Sequence, residues 1–374
     1  MRAWLTLAGL SVAVLTACGS SASPSSPTSA AGTTPSAASP SPTPTAAREP
    51  RLVIEDRGTN PPATDRVRLA GLDANDAGTM AGHFMGVFDD RAVALNGLVL
   101  TAMAYDGATT HLGTLVHAPS GFTDQVVVSP DLSQWLYTTT SDTQSLTAQV
   151  HVGSASADHV VATLPSPDSN GIFAPYAWNS SGVYLILQAT GIGGAGPFLD
   201  YHFPLYRFDV GTGAVSQVKP VCEAYDVLPS GALVCALSGG GSQMTSGLTI
   251  RSAGTADRVV PVQGPFAGVK LSPDSSRLSL VGLGGTSADA EYQVRTTVLT
   301  TPVLSDFGPP GYVPAAWLPD GRMVTRKMCL VADNSPTACD AARDGETYIV
   351  TADGSSSTLF FKFGEGVRVV DVLV

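Results

Sequence analysis

The chain has 374 residues and a formal charge of −11, with 20 Lys and Arg against 31 Asp and Glu. An acidic surface argues against nucleic acid as a partner and against adhesion to anionic lipid by charge alone. Charged residues make up only 14% of the chain and Gly is frequent, a mix suited to many short strands joined by tight turns.

The first element is a leader. Arg2 supplies a positive start, and Ala3 to Ala17 form an uncharged run with an apolar core. That run is shorter than the roughly 20 apolar residues a membrane span needs, and it has the form of a secretory signal peptide. Leu15-Thr16-Ala17-Cys18 follows directly and resembles the lipobox of bacterial lipoproteins. The resemblance implies that residues 1–17 are removed and that the Cys18 thiol carries a diacylglycerol. Loss of Arg2 with the leader makes the charge −12. Two or more acyl chains anchor a protein stably, so the expected location is the extracytoplasmic face of the cell membrane. A lone Arg before the apolar run does not fit twin-Arg export.

Residues 18–49 hold the lipidated Cys18 and a tract of Ser, Pro, Thr and Ala with nothing to build a core. Such a tract is a disordered tether. Its reach lies between about 30 Å as a flexible coil and about 90 Å as extended polyproline. Residues 50–374 form the expected folded domain.

Within that domain a unit recurs: apolar strand, tight turn, second apolar strand. It appears at 82–95, 124–138, 175–187, 224–237, 268–282 and 314–326. The turn residues Asp90, Asp131, Ser180, Ser230, Asp274 and Asp320 are spaced 41, 49, 50, 44 and 46 apart. Between the turns lie further strand-like runs, including Gln149–Gly153, Val160–Leu164, Leu248–Arg251 and Gln293–Leu299. Four strands in a unit of this length is the blade of a β-propeller. In each turn Pro presets φ and Asp bonds the backbone two residues on, so the turn acids are read as turn formers.

The turns Ser129-Pro130-Asp131, Ser272-Pro273-Asp274 and Trp317-Leu318-Pro319-Asp320-Gly321 resemble the WD40-like repeats of TolB-type propellers. Trp178-Asn179-Ser180-Ser181-Gly182 and Leu228-Pro229-Ser230-Gly231 keep the shape without the Asp, and Phe88-Asp89-Asp90-Arg91 matches least. The resemblance implies an all-β propeller of four-stranded blades. Six turns give six blades. Strands at both ends, Arg51–Glu55 with Arg66–Leu69 and residues 367–374, would complete a shared seventh, and seven is the favoured count. Closure removes sheet edges that would otherwise invite aggregation.

Four cysteines remain beyond Cys18. Export places them in an oxidising compartment, where pairing is the default. Cys222 and Cys235 flank the turn at Pro229-Ser230-Gly231, and Cys329 and Cys339 bracket a loop turning near Asn334-Ser335-Pro336. Two local disulfides, Cys222–Cys235 and Cys329–Cys339, are expected. No Cys pair has close zinc-ligand spacing, and no metal or cofactor is expected.

Gly191-Ile192-Gly193-Gly194-Ala195-Gly196 fits G-x-G-x-x-G, but Pro197 and an aromatic-rich strand region follow where a dinucleotide site needs a helix. Asp73-Ala74-Asn75-Asp76-Ala77-Gly78 departs from calcium-loop spacing. No P-loop, H-E-x-x-H or G-x-S-x-G motif is present. His83 begins an inner strand and is a candidate to face the central channel. The long insertion 191–204 carries Phe198, Tyr201, His202 and Phe203, which form a candidate binding loop.

The expected function is that of a monomeric, non-catalytic binding propeller in the cell envelope, with a protein or cell-wall ligand as partner. Two alternatives stay open. One is an extracellular propeller enzyme of the lyase, lactonase or cyclase type, with acids and His converging at the channel mouth. The other is an accessory regulator of a membrane sensor.

Overall fold

Strands buried on both faces read as continuous apolar runs, and strands facing water on one side alternate. Both kinds recur here in a fixed order. The computed structural model describes residues 48–57, 65–120, 125–140, 146–167, 171–189, 203–236, 247–262, 266–282, 293–327, 345–363 and 367–374. Cys18, Cys329, Cys339, Phe198, Tyr201 and His202 lie outside them. Arg48–Val374 forms one compact unit.

The described residues hold 28 strands and no helix. The chain opens with β1 (Arg51–Asp56), β2 (Arg66–Ala70) and β3 (Asp76–Ala81). Next come β4 (His83–Phe88), β5 (Arg91–Asn96), β6 (Val99–Met103) and β7 (Thr109–Thr114), then β8 (Val126–Val128), β9 (Gln134–Thr140), β10 (Thr147–Ser154) and β11 (Asp158–Pro165). β12 (Gly171–Asn179), β13 (Gly182–Ala189), β14 (Phe203–Phe208) and β15 (Val215–Gln217) precede β16 (Glu223–Val227), β17 (Leu233–Ala236), β18 (Gly247–Arg251) and β19 (Arg258–Pro261). The last groups are β20 (Phe266–Leu271), β21 (Arg277–Gly282), β22 (Gln293–Val298) and β23 (Ser305–Asp306), then β24 (Tyr312–Trp317), β25 (Met323–Lys327), β26 (Glu346–Val350) and β27 (Ser357–Lys362). β28 (Val367–Leu373) ends the chain.

Five sheets have four strands each, and β12 to β19 form an eight-stranded sheet in which β14 pairs with β16. Second strands are largely buried, as in β9 and β17, first strands such as β4 and β16 are mostly half-buried, and outer strands such as β7 and β27 are largely exposed. The first strands touch one another in series, from β12 round to β16. β28 contacts β4 and β24, β4 contacts β8, and β8 contacts β12; β16 contacts β20, which contacts β24. The β14–β16 pairing spans the remaining gap.

The two ends of the chain share one sheet, in the order β28-β1-β2-β3. Glu55 on β1 is 1% exposed and sits at the centre of this closure. Its Oε2 accepts from Arg368 Nη2 at 2.9 Å, Arg368 Nε at 3.1 Å and Arg57 Nε at 3.0 Å. Its Oε1 lies 2.8 Å from His83 Nδ1 and accepts from Phe84 N at 3.3 Å. One carboxylate therefore ties β1 to β28 and to β4 of the next sheet. Burial pushes the Glu55 carboxyl up, but the hydrogen bonds from His83, Arg368 and Arg57 outweigh it and hold it at about 2. At the other end of the same strands Val374 N donates to Asp90 Oδ1 at 2.8 Å. Arg51 there stacks its guanidinium on Tyr105 at 4.4 Å.

The turns follow the chemistry read from the sequence. Ser129 Oγ donates to Asp131 Oδ1 at 2.6 Å, and the same carboxylate oxygen accepts from Ser133 N at 3.1 Å. Ser272, Asp274 and Ser276 repeat this arrangement. So do Thr351, Asp353 and Ser355 in the β26–β27 hairpin, whose sequence departs further from the repeat. The fourth turn position has positive φ. It is glycine at 231, 321 and 354, but Leu132 and Ser275 adopt it at 59° and 56°. The two turns that match the repeat least are two-residue hairpins: Phe88 pairs with Arg91, and Asn179 with Gly182.

Cys222 and Cys235 are joined, with Cα atoms 5.1 Å apart, and both are fully buried. The bond lies at the seam where β14 meets β16, against Leu205 and the half-buried Phe203. Closing a loop of this length contributes about 3 kcal/mol.

The closure sets a pH dependence. The depressed Glu55 carboxyl contributes stability that is complete above its ordinary value of 4.5 and is lost as pH falls toward 2. Its size is at most about 3 kcal/mol, reduced by solvent because Arg57 and Arg368 are 49% and 40% exposed. Glu55→Gln should lower stability at pH 7 and flatten the loss between pH 4.5 and 2 in urea unfolding. An unchanged acid limb would show that Glu55 does not hold the seam.

Candidate functional site

The first strands carry a shared irregularity that shapes the axis of the ring. β4, β12, β16, β20, β24 and β28 each have a bulge, at Met85, Tyr176, Tyr225, Gly268-Val269, Ala315 and Val370. A bulge leaves one residue unpaired and re-aims the side chains beside it. The residues that resume pairing after the bulges are Gly86, Ala177, Asp226, Lys270, Ala316 and Asp371. Val127 holds the same place in β8, because Val128–Trp135 matches Leu271–Leu278 in register.

Of these seven positions, four carry no charge. Asp226, Lys270 and Asp371 bring two carboxylates and one ammonium to the axis. Asp226 Oδ2 accepts from Leu271 N at 3.5 Å, which places it against the strand of Lys270. Asp371 Oδ1 accepts from Val372 N at 2.8 Å. Both carboxylates keep part of their surface open and are surrounded by protein at longer range. Burial therefore leads and pushes both carboxyls up, while Lys270 pulls each back. Asp226 adds to the rise at Asp371. The Lys270 side chain is exposed and makes no ion pair within 4.0 Å with a described carboxylate.

A second polar cluster lies between β9, β10 and the connection from β7 to β8. His151 is 3% exposed, with Nδ1 3.3 Å from Asp158 Oδ1 and Nε2 3.0 Å from Thr139 Oγ1. Tyr137 stacks on His151 at 4.6 Å and donates its hydroxyl to Asp158 Oδ2 at 2.8 Å. Val116 N and His117 N reach Asp158 and the Tyr137 hydroxyl at 3.2 and 3.3 Å. Burial pushes His151 down, Asp158 pulls it back, and His117 lowers it further. Burial and Asp158 push the Tyr137 hydroxyl up. Every member is satisfied and the core of the cluster is closed to solvent, so it pins the connection rather than presenting reactive groups.

The residues singled out from sequence fall elsewhere. His83 turns to Glu55 in the closure. Phe203 lies in β14 with its ring partly buried against the disulfide cluster. Asp73 accepts from Asn75 N at 3.1 Å and Asp76 pairs with Arg68 at 3.2 Å, both as turn and strand contacts. Among the described residues no group of three His, Cys, Asp or Glu is placed to hold a metal. The axial residues went unread, although aligning the turns places Asp226, Lys270, Ala316 and Val127 in one column three residues before the Pro position.

No protein-family model and no curated protein matches the sequence. Solved structures do. The chain is similar to the acylaminoacyl peptidase of Pyrococcus horikoshii, with TM-score 0.53 and 8% identity, covering 85% of this chain and 51% of that one. It thus spans about half the length of that peptidase. It is also similar to the β-propeller domain of the Trilobed protease from Pyrococcus furiosus, with TM-score 0.51 and 10% identity, covering 85% and 96%. A further likeness is to TolB from Acinetobacter baumannii, with TM-score 0.40, 13% identity and coverage of 86% and 82%. The first two likenesses show the class of fold, a β-propeller, and a propeller hosts many activities.

The buried His151 has a consequence in solution. Its neutral form is favoured in the fold, so stability is complete above its ordinary value of 6.5 and falls as pH drops through it. Urea unfolding should give lower stability at pH 5.5 than at pH 7.5, above the window of Glu55. The difference should shrink in His151→Asn; a difference of the same size would place the titration elsewhere.

Proposed function

We propose that the protein is an exported lipoprotein whose seven-bladed propeller is a non-catalytic binding module at the outer face of the cell membrane. The axial trio carries the binding half of this reading. Charge is confined to three of seven equivalent positions, on strands far apart in sequence, and structural symmetry alone does not require it there. The groups of four strands, with β1 and β28 in a shared sheet, support seven blades. The lipobox-like run ending at Cys18 supports the anchor, and the tract to residue 49 supports a tether that lifts the propeller off the lipid. The partner is an envelope protein or cell-wall ligand that approaches the axis.

The anchor is tested by fractionation. The wild-type chain should partition into detergent with the membrane, and Cys18→Ser should appear in the soluble fraction with an unchanged melting temperature. A Cys18→Ser chain that stays with the membrane would overturn the anchoring.

A further inference from the structure

Where the sheet β24-β25-β26-β27 meets the sheet β28-β1-β2-β3, a cleft of about 230 Å³ opens beside Arg68 and Asp76. Its apolar wall is Ile54 of β1 with Phe360, Phe361 and Phe363. β27 is bulged at Phe360, between the Thr347–Phe361 and Tyr348–Leu359 pairs. A bulge re-aims the side chains beside it. Phe360 packs onto the core between the two sheets, while Phe361 stays 46% exposed with its ring 5.0 Å from that of Phe363. The facing wall is polar. Arg68 Nη1 donates to Asp76 Oδ1 at 3.2 Å and to Oδ2 at 3.3 Å, and this pair leaves the wall without net charge. Arg68 Nε is closed to solvent and has no acceptor among the described residues. A buried donor left unmet is costly and calls for an explanation. Asp76 is 51% exposed, and a carboxylate has about four acceptor sites, so part of its capacity stays open.

We propose that this cleft binds the pyranose ring of a neutral sugar. One wall offers an unmet donor beside an open acceptor, and a hydroxyl group answers both kinds at once. The other wall offers aromatic surface, on which the C–H face of a sugar ring lies against the negative π face. An anion is disfavoured because Asp76 already answers the Arg68 charge. An extended peptide added to β27 is disfavoured by the bulge and by the exposed Lys362, since both blunt an edge strand. The volume falls below the roughly 300 Å³ at which pockets for larger ligands begin, so the cleft takes a single ring. It lies toward the outer strands of the two sheets rather than at the axis, and so goes beyond the axial reading above.

Saturation-transfer NMR of the full chain, in a detergent without a sugar headgroup, tests this with glucose, galactose, N-acetylglucosamine and N-acetylphenylalanine amide. At least one of the three sugars should give a saturable signal, and the peptide probe none. Phe361→Ala should weaken that binding about ten-fold. Arg68→Lys keeps the charge beside Asp76 and removes Nε, and it too should weaken binding about ten-fold. Phe361→Tyr keeps the ring and should bind as the wild type does. Asp226→Asn should leave sugar binding unchanged. Melting temperatures confirm that each variant is folded. Sugar binding that Phe361→Ala and Arg68→Lys leave unchanged would overturn the inference, and its loss in Asp226→Asn would place the ligand at the axis instead. Binding of the peptide probe alone, or of none of the four, would also overturn it, and either result leaves the axial reading untouched.

Discussion

Glu55 is a buried carboxylate at the place where the two ends of the chain meet, and the ring depends on that meeting. A circle of sheets made from one chain has two free edges until its ends pair. Here β1 and β28 supply the pairing over six residues of β1, with a bulge between Val53 and Ile54. Backbone hydrogen bonds alone set the register but are available to any strand. Arg368, 313 residues away in sequence, and His83 on the adjoining sheet make the contact specific to these partners. At the opposite end Asp90 accepts the last backbone N–H of the chain. The seam is therefore held at both ends, and the sheets between are stacked by the ring it completes.

Other contacts stitch neighbouring groups of strands in the same manner, by a side chain of one reaching the backbone of the next. Asn179 Nδ2 donates to Leu228 O at 2.9 Å, Trp317 Nε1 to Lys270 O at 3.3 Å, and Arg277 Nη1 to Ala352 O at 2.8 Å. Such bonds fix the spacing of the first strands, and the bulges on those strands then decide what the axis presents. The site is a product of closure: Asp371 lies on β28, and the seam holds that strand at a register position equivalent to those of Asp226 and Lys270.

Much of the fold was legible because its signals are local. Asp131 and Asp274 bond groups within two residues of themselves, so Ser-Pro-Asp turns and their spacing could be read directly. The Cys222–Cys235 bond straddles such a turn and was legible for the same reason. The shared sheet could be read from the apolar runs at the two ends. What pins that sheet could not be read: Glu55 and Arg368 are an ordinary acid and base until the ring closes. The axial residues were hidden differently. A bulge displaces each of them from simple strand alternation, so Asp226 and Lys270 look like unremarkable strand charges. Leu132 and Ser275 hold a backbone conformation usually left to glycine, which weakens the repeat as a pattern while its geometry persists.

The central claim is that closure by β1 and β28 makes the ring one cooperative unit. Native-state hydrogen exchange tests it most directly. The paired amides of Leu52 to Glu55 and of the facing stretch of β28 should exchange only through global unfolding, with the same denaturant dependence as the protein as a whole. Exchange of those amides through a local opening of much lower free energy, with the other first strands still protected, would contradict the account.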